Sequence, residues 1–298
     1  MKYIKIIFSV LLSIILLSSC SISKKEIKGK PVIAVSILPQ KYFVEQIAGD
    51  LVNVEVIVKP GSNPATYSPT SSQMMTLAEA KLYFSIGVPF EKIWLGKIAK
   101  NNPNLKIIAT QKGISLRNME SYKDFKKISK KTNLKNSQKD PHIWLSPELV
   151  EIQAKNIANA LIAFDPKNKN LYLNNLNKFT AKLIQLHQII KTKFSKTSHR
   201  TFLVFHPSWG YFANEFGLTQ IPIQFEGKTP TSIQMEDIIS FAQKNDIKTI
   251  FIQKQFNKKI AQSIAEQIGG KVLSIDPLAE DYYNNLINIA DKMCKEMN

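Results

Sequence analysis

Residues 165–196, DPKNKNLYLNNLNKFTAKLIQLHQIIKTKFSK, are the stretch on which the reading of the fold depends. Leu176, Phe179, Leu183, Leu186 and Ile190 recur at alternating intervals of three and four, which aligns apolar side chains on one stripe of an α-helix. Asp165 and Pro166 suit an N-cap and a first helical position, and neither Gly nor Pro interrupts the run before Lys196. Roughly 28 helical residues at 1.5 Å each span about 40 Å, so the spacing predicts a rigid strut. A coiled-coil seam would need more than two heptads, and the stripe is therefore expected to face the protein's own core.

Outward from the strut, β-type runs alternate with helical patterns on both sides. VIAVSIL (32–38), VNVEVIV (52–58), LYFSIG (82–87) and LKIIAT (105–110) precede it; FLVF (202–205), TIFIQ (249–253) and KVLSID (271–276) follow it. Strand and helix in alternation predict doubly wound, mainly parallel sheets. The expected fold class is α/β, with two such lobes joined by one long rigid helix. The expected boundaries are a leader over 1–19, a tether over 20–30, an N-terminal lobe over 31–164, the linking helix over 165–197 and a C-terminal lobe over 198–298.

The leader is read from Lys2 and Lys5 ahead of an apolar run, Ile6 to Leu17, too short to span a bilayer as a resting helix. Its end, Leu17-Ser18-Ser19-Cys20, resembles the bacterial lipobox, so Cys20 is expected to carry a lipid anchor. Cys294 is the one other cysteine, which excludes a disulfide framework and a Cys-type zinc site. A metal would have to be held by His and carboxylate groups. The formal charge of +17 comes from lysines scattered through the chain. The densest patch, 123–139 (KDFKKISKKTNLKNSQK), lacks the interleaved aromatics of a strand-binding surface. The charge is thus read as solubility and attraction to anionic lipid, with no nucleic-acid partner.

In open α/β sheets, ligands collect at the carboxyl ends of the strands. His206 closes FLVF and Asp276 closes KVLSI, each followed by Pro; in the first lobe His142 lies in KDPHIWLSP, just ahead of a helix start marked by Ser146 and Pro147. Each has an ordinary explanation alone: a capping aspartate, a hydrogen-bonded loop histidine. Together they form a constellation, because the chain has four histidines and the other two, His187 on the strut and His199 in a basic loop, are expected to face solvent. Trp144 and Trp209 stand close by in sequence and could keep water from a small charged site.

The stretches LPQKYFVEQIAGD (38–50), PGSNPATYSPT (60–70), DPHIWLSP (140–147), FHPSWGYF (205–212) and IDPLAEDYYNNL (275–286) resemble, in order, the zinc- and manganese-binding lipoproteins of bacterial ABC importers, the cluster A-I solute-binding family. The resemblance implies two α/β lobes gripping a divalent cation, Zn²⁺ or Mn²⁺, in the cleft between them. It implies delivery to an ABC permease and its ATPase by a monomer anchored through acylated Cys20. Carried over by position, it assigns metal ligation to His142, His206 and Asp276.

The first ligand of the family does not carry over. Where the family has a histidine after the proline of G-x-x-P-H-x-Y, this chain has Ala65, and residues 118–139 lack the histidines of the loop found in some members. Water, Glu226 in IQFEGKTP, or Gln253 could complete the sphere; Glu226 or water is preferred, and Glu280 reads as a surface or helix-start residue. Two imidazoles with carboxylate favour zinc over manganese. The rival from another class is a secreted zinc hydrolase with three protein ligands and an open water position. No H-E-x-x-H, G-x-S-x-G or phosphate-loop motif supports it. A siderophore, haem or cobalamin carrier would need a wide cleft lined with arginine or aromatics, and the two arginines, Arg117 and Arg200, lie outside the matched stretches.

Overall fold

The computed structural model describes residues 29–122, 125, 138–225 and 227–298. The leader, Cys20 and Glu226 lie outside the described residues.

The apolar stripe of the strut forms a helix of 26 residues, Lys169–Phe194. It begins later than expected, because Pro166–Asn168 makes a 3₁₀ turn and Asp165 ends the preceding helix, Pro147–Phe164. The Asp165 carboxylate accepts from Asn168 Nδ2 at 2.6 Å and from the Tyr172 hydroxyl at 3.0 Å, so it braces the corner between two helices. Tyr172, Phe179, Leu183, Leu186, Ile190 and Phe194 are buried and Leu176 is partly buried against the same core, which keeps the predicted stripe and extends it at both ends.

In chain order the first lobe comprises β1 (Val32–Val35), α1 (Leu38–Ala48), β2 (Asn53–Val56), α2 (Ser71–Glu79), β3 (Leu82–Ser85), α3 (Pro89–Asn101) and β4 (Lys106–Ala109), followed by α4 (Pro147–Phe164) and the strut α5 (Lys169–Phe194). The second comprises β5 (Thr201–Val204), α6 (Gly210–Glu215), β6 (Thr219–Pro222), α7 (Ser232–Lys244), β7 (Thr249–Gln253), α8 (Lys258–Gln267), β8 (Lys271–Ile275) and α9 (Tyr282–Glu296). The sheets run β2-β1-β3-β4 and β6-β5-β7-β8, parallel throughout. Strand β6 was not legible in advance: TQIP is short, ends on proline and lies at the sheet edge, where proline is tolerated. Both orders reverse between the first and third strands of the lobe, which puts a topological switch point at the carboxyl ends of β1/β3 and of β5/β7.

Alternation along the second sheet divides its side chains between two cores. Phe202, Val204 and Phe251 join one apolar cluster with the first sheet, α1, α4, α5 and α9. Leu203, Ile250 and Ile252 turn the other way, onto α7 and α8. The strut is therefore the centre of a shared core, and both lobes pack on it. No helix among the described residues is long and apolar enough to cross a membrane.

Candidate metal centre

Each histidine singled out from the sequence is held by a neighbouring side chain. Asp140-Pro141-His142 folds back on itself, as Asp followed by Pro tends to do. Asp140 Oδ1 accepts from the His142 amide at 3.0 Å and meets His142 Nδ1 at 2.7 Å. The Asp140 carboxylate is fully buried, and its other oxygen accepts from Arg117 Nη1 at 3.3 Å. Tyr211 completes the brace, its hydroxyl donating to the Asp140 carbonyl at 2.9 Å and accepting from the Arg117 amide at 3.0 Å.

His206 follows β5 at the switch point of the second sheet. Its Nδ1 donates to Gln224 Oε1 at 2.9 Å, and Gln224 in turn donates to the Gly227 carbonyl at 3.1 Å. Gln253, closing β7, accepts from the His206 amide at 3.3 Å and donates to its carbonyl at 2.7 Å. Phe256 stacks on the ring at 5.0 Å. Burial, and then the nearby His142, push the His206 imidazole down to about 4, against the small upward pull of Gln224. It is therefore neutral near pH 7, as a ligand must be. With Nδ1 engaged on both rings, Nε2 is the nitrogen through which each could ligate a metal.

The structure brings these two rings together across the lobes, with centroids 5.3 Å apart and planes at 75°. Asp276 arrives at the same edge, one residue beyond β8, whose Ile275 pairs with Gln253. Trp144 packs on His142 at 5.1 Å and donates Nε1 to the Pro277 carbonyl at 2.7 Å, which fastens the first-lobe loop beside Asp276. The Asp276 carboxylate accepts from the Leu278 amide at 2.9 Å and faces Lys254 Nζ at 3.3 Å. It does not close a triad with the two imidazoles: among the described residues, the one set of three groups with ligand atoms all within 4.8 Å is Glu148, His187 and Glu215. Ala65 is exposed, its amide donating to Asn63 Oδ1 at 2.8 Å. Gln253 spends its oxygen on the His206 backbone, and Glu280 pairs with Lys41 at the surface. Trp209 is fully buried in the shared core against Phe212.

Reading the sequence missed Asp140, Gln224 and the role of Gln253. Asp140 had a signal, because an aspartate two residues before a histidine can reach that residue's amide; Gln224 had none, since it meets His206 only through the pairing of β5 with β6. His187 was expected in solvent. It is instead packed between helices, because the polar partner that allows its burial, Glu215, comes from the other lobe.

The family model described as zinc-uptake complex component A, periplasmic (ZnuA), matches residues 33–295. The chain is 26% identical over 251 residues to the high-affinity zinc uptake system protein ZnuA of Bacillus subtilis (strain 168), covering 83% of this chain and 78% of the other. It is 27% identical to the manganese ABC transporter substrate-binding lipoprotein PsaA of Streptococcus mitis, covering 99% and 100%. A crystal structure of ZnuA superimposes with a TM-score of 0.83 at 39% identity, covering 91% of this chain and all of that one.

Proposed function

The chain belongs to the ZnuA family of zinc-uptake components, and from that premise we propose that it captures a divalent metal ion outside the cytoplasm and hands it to an ABC permease powered by a cytoplasmic ATPase. Zinc is the preferred cargo and manganese the second. The observation that carries this reading is the pair His142 and His206, one from each lobe, facing one another at 5.3 Å with Nδ1 of both already engaged.

On this reading His142 Nε2 and His206 Nε2 take the ion first. Asp276 exchanges Lys254 for the metal and becomes the third ligand, its charge offsetting half of the dication's; a second carboxylate or a water takes the fourth place. Glu226 is the candidate for that fourth place, since its neighbours Phe225 and Lys228 form a bridge and Gly227 holds Gln224. The protein is a carrier without a catalytic step, which sets aside the hydrolase reading. A lipid on Cys20 would keep a monomer at the outer face of the membrane, within reach of the permease.

Competition with a chromogenic chelator tests the site. The parent chain should take zinc from the chelator, and His206→Ala should lose at least about 100-fold in affinity, since ligand loss exceeds the 10–100-fold typical of an orienting partner. Unchanged affinity in His206→Ala would refute the assignment. Glu226→Gln with parental affinity would leave water as the fourth ligand.

A further inference from the structure

A second group of metal-binding side chains meets away from that pair. His187, on α5, places Nδ1 2.7 Å from Oε1 of Glu215, which ends α6, and 3.6 Å from Oε1 of Glu148, in the first turn of α4. The His187 side chain is 13% exposed and that of Glu215 3%, whereas Glu148 is 65% exposed and gives the cluster a solvent side. The remaining Glu215 oxygen accepts from Ser146 Oγ, the N-cap of α4. Burial, followed by weaker opposing hydrogen bonds from Ser146 and His187, holds the Glu215 carboxyl above its ordinary range. Glu151, one turn along α4, is raised by burial and then by Glu148.

A buried polar atom elsewhere in the core feels the same carboxylate. Tyr282, at the start of α9, is almost completely buried, and its hydroxyl has no hydrogen-bond partner. After burial itself, the charge of Glu215 is the largest influence on that phenol. A buried hydroxyl without a partner, in the field of that carboxylate, is an unsatisfied polar group that a ligand's bound water would relieve.

We propose that Glu148, His187 and Glu215 form a second, weaker site for a divalent transition metal of the zinc class, where α4, α5 and α6 meet. One imidazole and two carboxylates are donors that zinc takes at about 2.0–2.2 Å, which sets neighbouring donors on a tetrahedron roughly 3.4 Å apart. The 3.6 Å gap already suits this, and the 2.7 Å gap opens when the ring moves its proton to Nε2 and gives the Nδ1 lone pair to the metal. Two net carboxylate charges balance the dication. The site does not depend on the cleft ligands, but it sits on their supports: α4 starts five residues after His142 and α6 four after His206. An ion there would pin both cleft loops when zinc is abundant.

Zinc bound by the full chain is counted by equilibrium dialysis across rising free ZnCl₂. The parent chain should bind two equivalents, one tight and one weak. Glu148→Gln, at an exposed position that leaves the buried pair in place, and His187→Gln should keep the tight equivalent and weaken the other by about tenfold or more, since ligand loss costs at least as much as loss of an orienting partner. His206→Ala should lose the tight equivalent and keep the weak one, which separates failure of the cleft assignment from failure of this one. A parent chain that saturates at one equivalent overturns the proposal. So does a second equivalent that Glu148→Gln leaves at parental affinity.

Discussion

At the scale of single residues, the same local device serves two ends. Asp140-Pro141-His142 and Asp276-Pro277-Leu278 both close an aspartate onto the amide two residues on, at 3.0 and 2.9 Å. In the first, the aspartate is buried and orients the histidine; in the second, it is open enough to face a lysine and to offer an oxygen. Asp140→Asn keeps the turn but removes the charge that pairs with Arg117 and polarises the His142 ring. It should weaken zinc binding by about 10–100-fold while circular dichroism shows an intact fold. His206 carries a pH dependence. Its folded-state value, near 4, lies below the 6.5 of a free imidazole. Between those limits the unfolded chain binds a proton that the folded chain does not, so metal-free stability falls as pH drops through this window, by about 3 kcal/mol at most. His206→Gln should flatten denaturant midpoints between pH 6.5 and 4; a parental slope in that variant would reject the assignment of the effect.

At the scale of elements, α6 matters for where it begins. A Cβ on Gly210 would stand 1.2 Å from Arg117 Nη1 and 3.0 Å from Asp140 Oδ2, so the guanidinium reaches Asp140 only across a glycine. Gly210→Ala should push Arg117 aside and loosen the brace under His142. Its zinc affinity should move in the same direction as that of Asp140→Asn, and combining the two should cost less than the product of the single losses, since both act through one contact. Additive losses by chelator competition would separate them. The elements were legible wherever a run was long and periodic. Strand β6 was missed because four residues at a sheet edge, ending on proline, leave little pattern; the start of α5 moved because the Asp165 side chain braces a corner that no single helix reveals.

At the scale of the whole molecule, the strut is shared property. Leu186 is completely buried in a cluster that takes side chains from both sheets. Leu186→Ala should destabilise by about 2–5 kcal/mol. Fluorescence dominated by the tryptophans, Trp144 before the strut and Trp209 after it among them, should still follow the same denaturation midpoint as far-UV circular dichroism; two separated transitions would mean that the lobes hold themselves together independently. A common core also limits hinge bending, because rotation of one lobe would unpack the strut. Solution scattering should show little change in radius of gyration when zinc is added, and a large compaction would contradict a rigid frame.

What the sequence determined by itself were the properties carried by local pattern: the two series of parallel strands but for β6, the strut, and the places of His206 and Asp276 just beyond strands and of His142 ahead of a helix. What only the tertiary structure decided were the partners of those residues. Gln224 reaches His206 through an edge strand, Trp144 fastens to Pro277 across 133 positions of chain, and His187 is buried because Glu215 comes from the other lobe to meet it. The reason is physical: periodicity records which face of an element is apolar, whereas a hydrogen bond between distant segments depends on angles and offsets that the packing of whole lobes sets.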